Sequence, residues 1–240
     1  MTLTGAPSSL ATAVQPERHS LVGLPSGLAM AAALLASLPV FLQAPWVRGA
    51  PFSATLFSLV VLAAGLVLER RDDATRRDLG ALLVGFSGSW LGGALFWGWF
   101  RFHPICHLPI EAFALPLALG GLTMERWRLA ASFYLASLLG TACTDAAIAS
   151  LGLMDLWPAV LQASPELAAP LLRQAGEAVL HPFNLVVLSG YALALLFASR
   201  LLAPRGLPGR VAAATLLITL AVDGLFLLAA LLAPRLSGLI

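Results

Sequence analysis

Apolar runs about as long as a bilayer is thick recur along this chain, separated by short polar connections. A spanning helix needs about 20 mostly apolar residues. Seven segments approach that length: residues 26–42, 51–68, 79–100, 107–124, 129–153, 182–202 and 211–233. The second stops at the charged stretch ERRDDATRRD, and the fourth is short and carries Pro109 and Pro116. The pattern predicts an all-α, polytopic transmembrane helix bundle of about seven spans. It forms one domain over residues 26–240, behind a tail at residues 1–25. No internal repeat is visible, so an inverted-repeat transporter gains no support.

The connection at residues 154–181 has a different texture. Ser164 is placed to cap a helix that has Pro165 in its first position and Glu166 in its first turn. Leu167, Leu171, Leu172, Ala175 and Val179 then form one apolar stripe, with Arg173, Gln174 and Glu177 opposite. This predicts an amphipathic interfacial helix, lying on the membrane or across the mouth of the bundle. It serves either as a structural cover or as part of a site.

Arginines in the connections set the orientation. With seven spans, Arg18, Arg70, Arg71, Arg76, Arg77, Arg126, Arg128, Arg200, Arg205 and Arg210 fall on one side. Arg48, Arg101, Arg173 and Arg235 fall on the other. The bias predicts a cytoplasmic N-terminus and a periplasmic or lumenal C-terminus. A re-entrant fourth segment would leave six spans and put the last arginine-rich connection on the wrong side. The N-terminal sequence lacks a basic region followed by an apolar core, so the first span is expected to act as an uncleaved signal.

Composition sharpens the solvent and excludes some partners. The chain is 59% hydrophobic and only 11% charged, whereas soluble domains carry roughly 25% charged residues. Lipid is therefore the expected partner of most of its surface. All fourteen basic residues are arginine, and the net charge of +2 leaves no footprint for nucleic acid. Cys106 and Cys143 form no CxxC pair, and a disulfide between them stays open.

The third span carries two ridges of small residues, Gly88–Gly92 and Gly85–Ser89–Gly93, that let helix backbones approach closely within the bundle. It ends in FWGWFRF, where Trp97 and Trp99 either anchor at the outer interface or stack against a pigment or quinone.

Nine of the twelve acidic residues lie in connections or near span ends; Glu111, Asp145 and Asp223 do not. An ionisable group inside a span costs about 2.5–3.5 kcal/mol on insertion scales, so each of the three asks for a partner or a task. Glu111 lies in the first two turns of the fourth span. Asp145 lies sixteen residues into the fifth, about 24 Å along its axis at 1.5 Å per residue. The two therefore share a level near the outer face, with Asp223 closer to the midplane. They are the candidate catalytic residues. Arg101, His103, His107, His181, Trp97 and Trp99 are the candidate binding residues around them.

His103, His107 and Glu111 recur every four residues, as ligands on one helix face do. Pro104 and Pro109 interrupt the run, and no HExxH motif is present, so no metal site is assigned. No cofactor is named by any motif. Glu111 can instead protonate a substrate or relay a proton, or it can simply pin the turn by bonding to Arg101 or His107. Thr141 and Thr144 can satisfy Asp145 in the same structural sense.

The stretches GGALFWGWFRFHPICHLPIEAFALPLALGGL and TDAAIASLGLMDLWPAVLQASPELAAPLL resemble a family of cyanobacterial integral membrane proteins of unknown function. That resemblance spans the third to sixth helices and implies a thylakoid or plasma membrane location. Pro109, Ile110 and Glu111 are similar to the Pro-x-Glu-Glu/Asp motif of the small membrane carotenoid cyclases. Ala112 departs from the second acid of that motif, for which Asp145 is the spatial stand-in.

Three functions fit these residues. One is binding of, or action on, a lipophilic substrate (isoprenoid, pigment or lipid) at an outer-leaflet acid/histidine site. Another is an assembly or scaffold factor for a photosynthetic membrane complex. The last is a small-solute or ion transporter. The first predicts a lipid-accessible cleft between the third, fourth and fifth spans, the second predicts no enclosed cavity, and the third predicts a polar path linking Asp223 and Asp145 to water.

Overall fold

The computed structural model describes residues 27–233, the side chain of Pro165 excepted. The tail at residues 1–25, Ser26, His19, Arg18 and Arg235 lie outside the described residues. Seven helices are long and apolar enough to cross a membrane: α1 (Gly27–Gly49), α2 (Pro51–Glu69), α3 (Ala74–Phe100), α4 (Pro104–Thr123), α5 (Arg128–Ser150), α8 (Pro182–Leu202) and α9 (Gly206–Leu232). Two shorter helices, α6 (Leu156–Gln162) and α7 (Pro165–Val179), fill the connection between α5 and α8. No strand occurs among the described residues. The molecule is a helical membrane protein.

Helix α3 is the axis of the bundle. Some 61% of its most apolar window is buried, against 11% for α4 and for α8. Asp73 starts it, its carboxylate accepting from the Thr75 N–H (2.8 Å) and the Arg76 N–H (3.4 Å). Its small residues each admit a different neighbour. A methyl group on Gly80 would collide with the backbone of Glu69 in α2, one on Gly85 with the Ala130 carbonyl of α5, and one on Gly88 would press on the Tyr134 ring. Both ridges therefore serve packing inside one chain. Between them, Phe86, Trp90 and Phe133 form an edge-on aromatic core with Phe57 and Trp46, and the Trp90 indole donates to Ala54 O at 2.8 Å. Outward-facing Phe52, Leu56, Val186 and Phe197 are more than half exposed, as residues facing lipid tails are.

At the end of the bundle away from the α3 C-terminus, the buried Glu69 carboxylate receives Arg126 Nε and Nη2. This pair ties the end of α2 to the turn before α5. Its hydrogen bonds hold the Arg126 guanidinium above its ordinary pKa, and the guanidinium also sits 4.9 Å from the Trp127 ring centre.

Several local expectations change. Helix α1 does not stop at residue 42 but passes through a π-helical turn at Pro39–Gln43 and continues to Gly49. The amphipathic connection is a hairpin of two helices rather than one. Ser164 precedes α7, yet its side chain makes no capping bond; its carbonyl takes the Leu167 and Ala168 N–H groups instead. Leu167 is 62% exposed, and the buried stripe is Ala168, Leu172, Gly176 and Val179. That stripe packs on Ala230 and Leu231 of α9. The apolar face of α7 thus closes over the bundle. Cys106 and Cys143 are both free thiols.

Candidate functional site

The site grows from the broken geometry of α4. A 3-10 turn at Pro104–Cys106 leads into one α-helical stretch, His107–Glu111. A second 3-10 turn at Ala112–Ala114 precedes the final helix, Leu115–Thr123. Proline explains the phasing. Pro104 opens the first turn, Pro109 falls in the first turn of His107–Glu111, and Pro116 in that of Leu115–Thr123. At such positions a missing N–H removes no helical bond. Each proline therefore begins a helical piece. The break frees backbone groups inside the bundle, where they must find partners. The buried Tyr134 of α5 supplies them: its hydroxyl donates to Glu111 O and accepts from the Ala114 N–H at 3.2 Å.

His107 and Glu111 then lie one turn apart on an intact helical piece. His107 Nε2 is 3.3 Å from Glu111 Oε1. On its other edge, His107 Nδ1 is 3.0 Å from both oxygens of Asp145. Side-chain exposures are 11% for His107, 16% for Glu111 and 10% for Asp145. The result is a buried carboxylate–imidazole–carboxylate chain. Close approach makes it possible: Gly92 of α3 faces the Glu111 backbone, and a methyl group there would sit 3.0 Å from Glu111 Cα. Phe96 packs on the imidazole with 4.2 Å between ring centres, and Trp157 of α6 meets it edge-on at 5.6 Å. Trp157 also stacks on Trp97 at 5.6 Å and 21°, and its indole N–H is held by Arg101 O at 3.0 Å.

These groups edge a cavity of about 430 Å³ inside the bundle. Its walls are mostly apolar: Val40, Ile148, Leu172, Val222 and Phe226 contribute, and the α6–α7 hairpin adds Trp157, Val160 and Val179. Polar groups enter from α5 and α9. Thr144 Oγ1 donates to Asp223 Oδ2 at 2.8 Å, and Thr141, Ser137 and Thr219 line the same region. Gln43, in the π-helical turn of α1, is fully buried in the wall. Its amide donates to Trp90 O, and among the described residues its Oε1, pressed against Gly93, and Ser89 Oγ have no hydrogen-bond partner. A second π-helical turn, Phe96–Phe100 of α3, brings Trp97 to the cavity. Such turns redirect side chains out of α-helical register.

Of the residues singled out in the sequence, Glu111, Asp145, His107 and Trp97 come together here. The others do not. Arg101 lays its guanidinium 5.0 Å from the Phe102 ring centre and reaches the site only through its carbonyl. His103 is exposed on the turn before α4, where its backbone bonds Phe100 and Cys106. His181 is exposed ahead of α8. Trp99 is exposed and meets Phe52 edge-on at 5.4 Å, away from the cavity. Among the described residues, no group of three His, Cys, Asp or Glu side chains is arranged to hold a metal ion. Asp223, Gln43 and Trp157 join the site without having been grouped with it, and Thr144, expected to satisfy Asp145, bonds Asp223 instead. Asp223 carried a signal, being an acid within an apolar span, whereas Gln43 fell just beyond the first span as read from the sequence. Trp157 carried none, because its place depends on how α6 folds back.

The chemistry available is proton exchange next to an apolar chamber. Imidazole that faces a carboxylate from each nitrogen can accept a proton on one edge and release one on the other. No curated protein and no solved structure matches the chain. A family model does match, over residues 32–231. With that match covering most of its length, the chain belongs to the family described as Protein of unknown function (DUF3120).

Proposed function

We propose that this membrane protein binds a lipophilic small molecule, of isoprenoid, pigment or lipid type, in the cavity beneath the α6–α7 hairpin. The Glu111–His107–Asp145 chain meets its polar end and exchanges protons with it. The observation that carries this reading is a 430 Å³ apolar chamber edged by a buried acid–histidine–acid chain. Small-molecule sites share that make-up, roughly 300–1,000 Å³ of mostly apolar wall with a few convergent polar groups. A scaffold factor has no use for such a chamber. A transport reading draws on the hydroxyls of Ser137, Thr141 and Thr219, which continue from the cavity along α5 and α9. The adjoining Ala136, Ala212 and Leu216 are packed together, which favours binding over passage.

The test is extraction of purified wild type and Glu111→Gln, followed by mass spectrometry of the released lipophiles. The expected result is a compound enriched over bulk lipid in the wild type and depleted several-fold in the variant. No enriched compound in either sample would contradict the proposal.

A further inference from the structure

The cavity's charge identifies the class of molecule it takes. This inference rests on the binding reading above and narrows its ligand. Three carboxylates reach the chamber, those of Glu111, Asp145 and Asp223. The chain contains no lysine, and among the described residues no arginine lines the cavity. The one basic group present, His107, is already committed between two acids. Even a charged His107 offsets only one of the two carboxyl groups it faces. Asp223 stands outside that chain and is held by a neutral hydroxyl of Thr144.

The remaining hydroxyl-bearing side chains of the wall, Ser89, Ser137, Thr141 and Thr219, are neutral and can donate or accept, so the carboxylates alone set the sign of the chamber. Two stacked indoles, Trp97 and Trp157, complete the wall. Indole faces attract cations more strongly than other aromatic rings do.

We infer that the cavity binds an organic cation: an apolar body carrying a hydrogen-bond-donating ammonium group, which sits between Asp223 and the acid–histidine chain against the tryptophan pair. An anionic or purely hydrocarbon ligand leaves the carboxylates uncompensated.

A matched series of probes tests this with the full chain in detergent, read by quenching of tryptophan fluorescence: naphthylmethylammonium, naphthylmethanol and naphthalene carboxylate. The ammonium is expected to bind about tenfold tighter than the alcohol, as one charge-assisted hydrogen bond provides, and the carboxylate not to bind. Asp223→Asn is expected to erase the ammonium preference while alcohol binding persists, which also reports that the variant is folded. Glu111→Gln is the second variant and should weaken the preference in the same direction. Equal binding of alcohol and ammonium, or tighter binding of the carboxylate, overturns the cation assignment and leaves the cavity reading intact. Failure of all three probes to bind overturns both.

Discussion

His107 faces a carboxylate oxygen from each ring nitrogen, and this pairing dominates the energetics of the site. Burying charges is expensive, and removing one partner strands the others. His107→Ala leaves two carboxylates around an empty space and should destabilise the bundle by about 3–5 kcal/mol, the range for breaking a buried pair. The triple change His107→Phe, Glu111→Gln and Asp145→Asn removes all the charge and should recover much of that loss. Thermal unfolding in detergent measures both variants. A His107→Ala protein as stable as the wild type would mean that the three groups are independently solvated. The partners at this scale were only partly legible in the sequence. Glu111 and Asp145 announced themselves as acids inside apolar spans, and the four-residue spacing already put His107 and Glu111 on one face. That Asp145 rather than Arg101 is the second partner depends on the crossing of α4 and α5, which no local pattern encodes.

Helix α4 shows how an element can be misread from correct local rules. Its prolines suggested that His107 and Glu111 were separated by broken helix, yet each proline occupies the opening turn of a helical piece. The break falls at Ala112–Ala114, where Leu115 bonds back to Ala112 O and leaves Glu111 O to the Tyr134 hydroxyl. Tyr134→Phe removes that donor and leaves two part-buried backbone groups, Glu111 O and Ala114 N–H, without the hydroxyl. It should cost about 1–3 kcal/mol and speed amide exchange in residues 112–116 ahead of the rest of the bundle. Unchanged exchange there would show that the hydroxyl holds nothing in place. The lengths of α2 and α8 were legible almost to the residue, because lipid forces an apolar run of fixed length. The extension of α1 to Gly49 was not, since Gln43 and Arg48 make its last turns read as a connection. The covering role of α7 was legible from its stripe, and so was most of the register. Leu172 and Val179 are buried and Leu171 and Ala175 half-buried as assigned, while Leu167 turns outward and Ala168 takes the inward place.

Across the whole molecule, an odd number of crossings sets the site near one face. The α1, α3, α5 and α9 C-termini, the start of α4 and the α6–α7 hairpin share one end of the bundle. The arginine bias of the connections predicts the periplasmic or lumenal side for that end. In a Cys143→Ser background, a membrane-impermeant maleimide should label Cys106 from that side. Asp72→Cys, in the turn between α2 and α3, should be labelled only from the cytoplasm. The reverse pattern would invert the topology without touching the site. The central claim, that the chamber is a binding site, is tested most directly by filling it. Thr141 lines the cavity and makes no essential bond in the acid–histidine chain. Native mass spectrometry of the wild type and of Thr141→Phe, each released from detergent, reads occupancy itself. A discrete small-molecule adduct on the wild type, absent from a folded Thr141→Phe, is the predicted result. No adduct on the wild type, or an adduct of equal occupancy on both proteins, would contradict it.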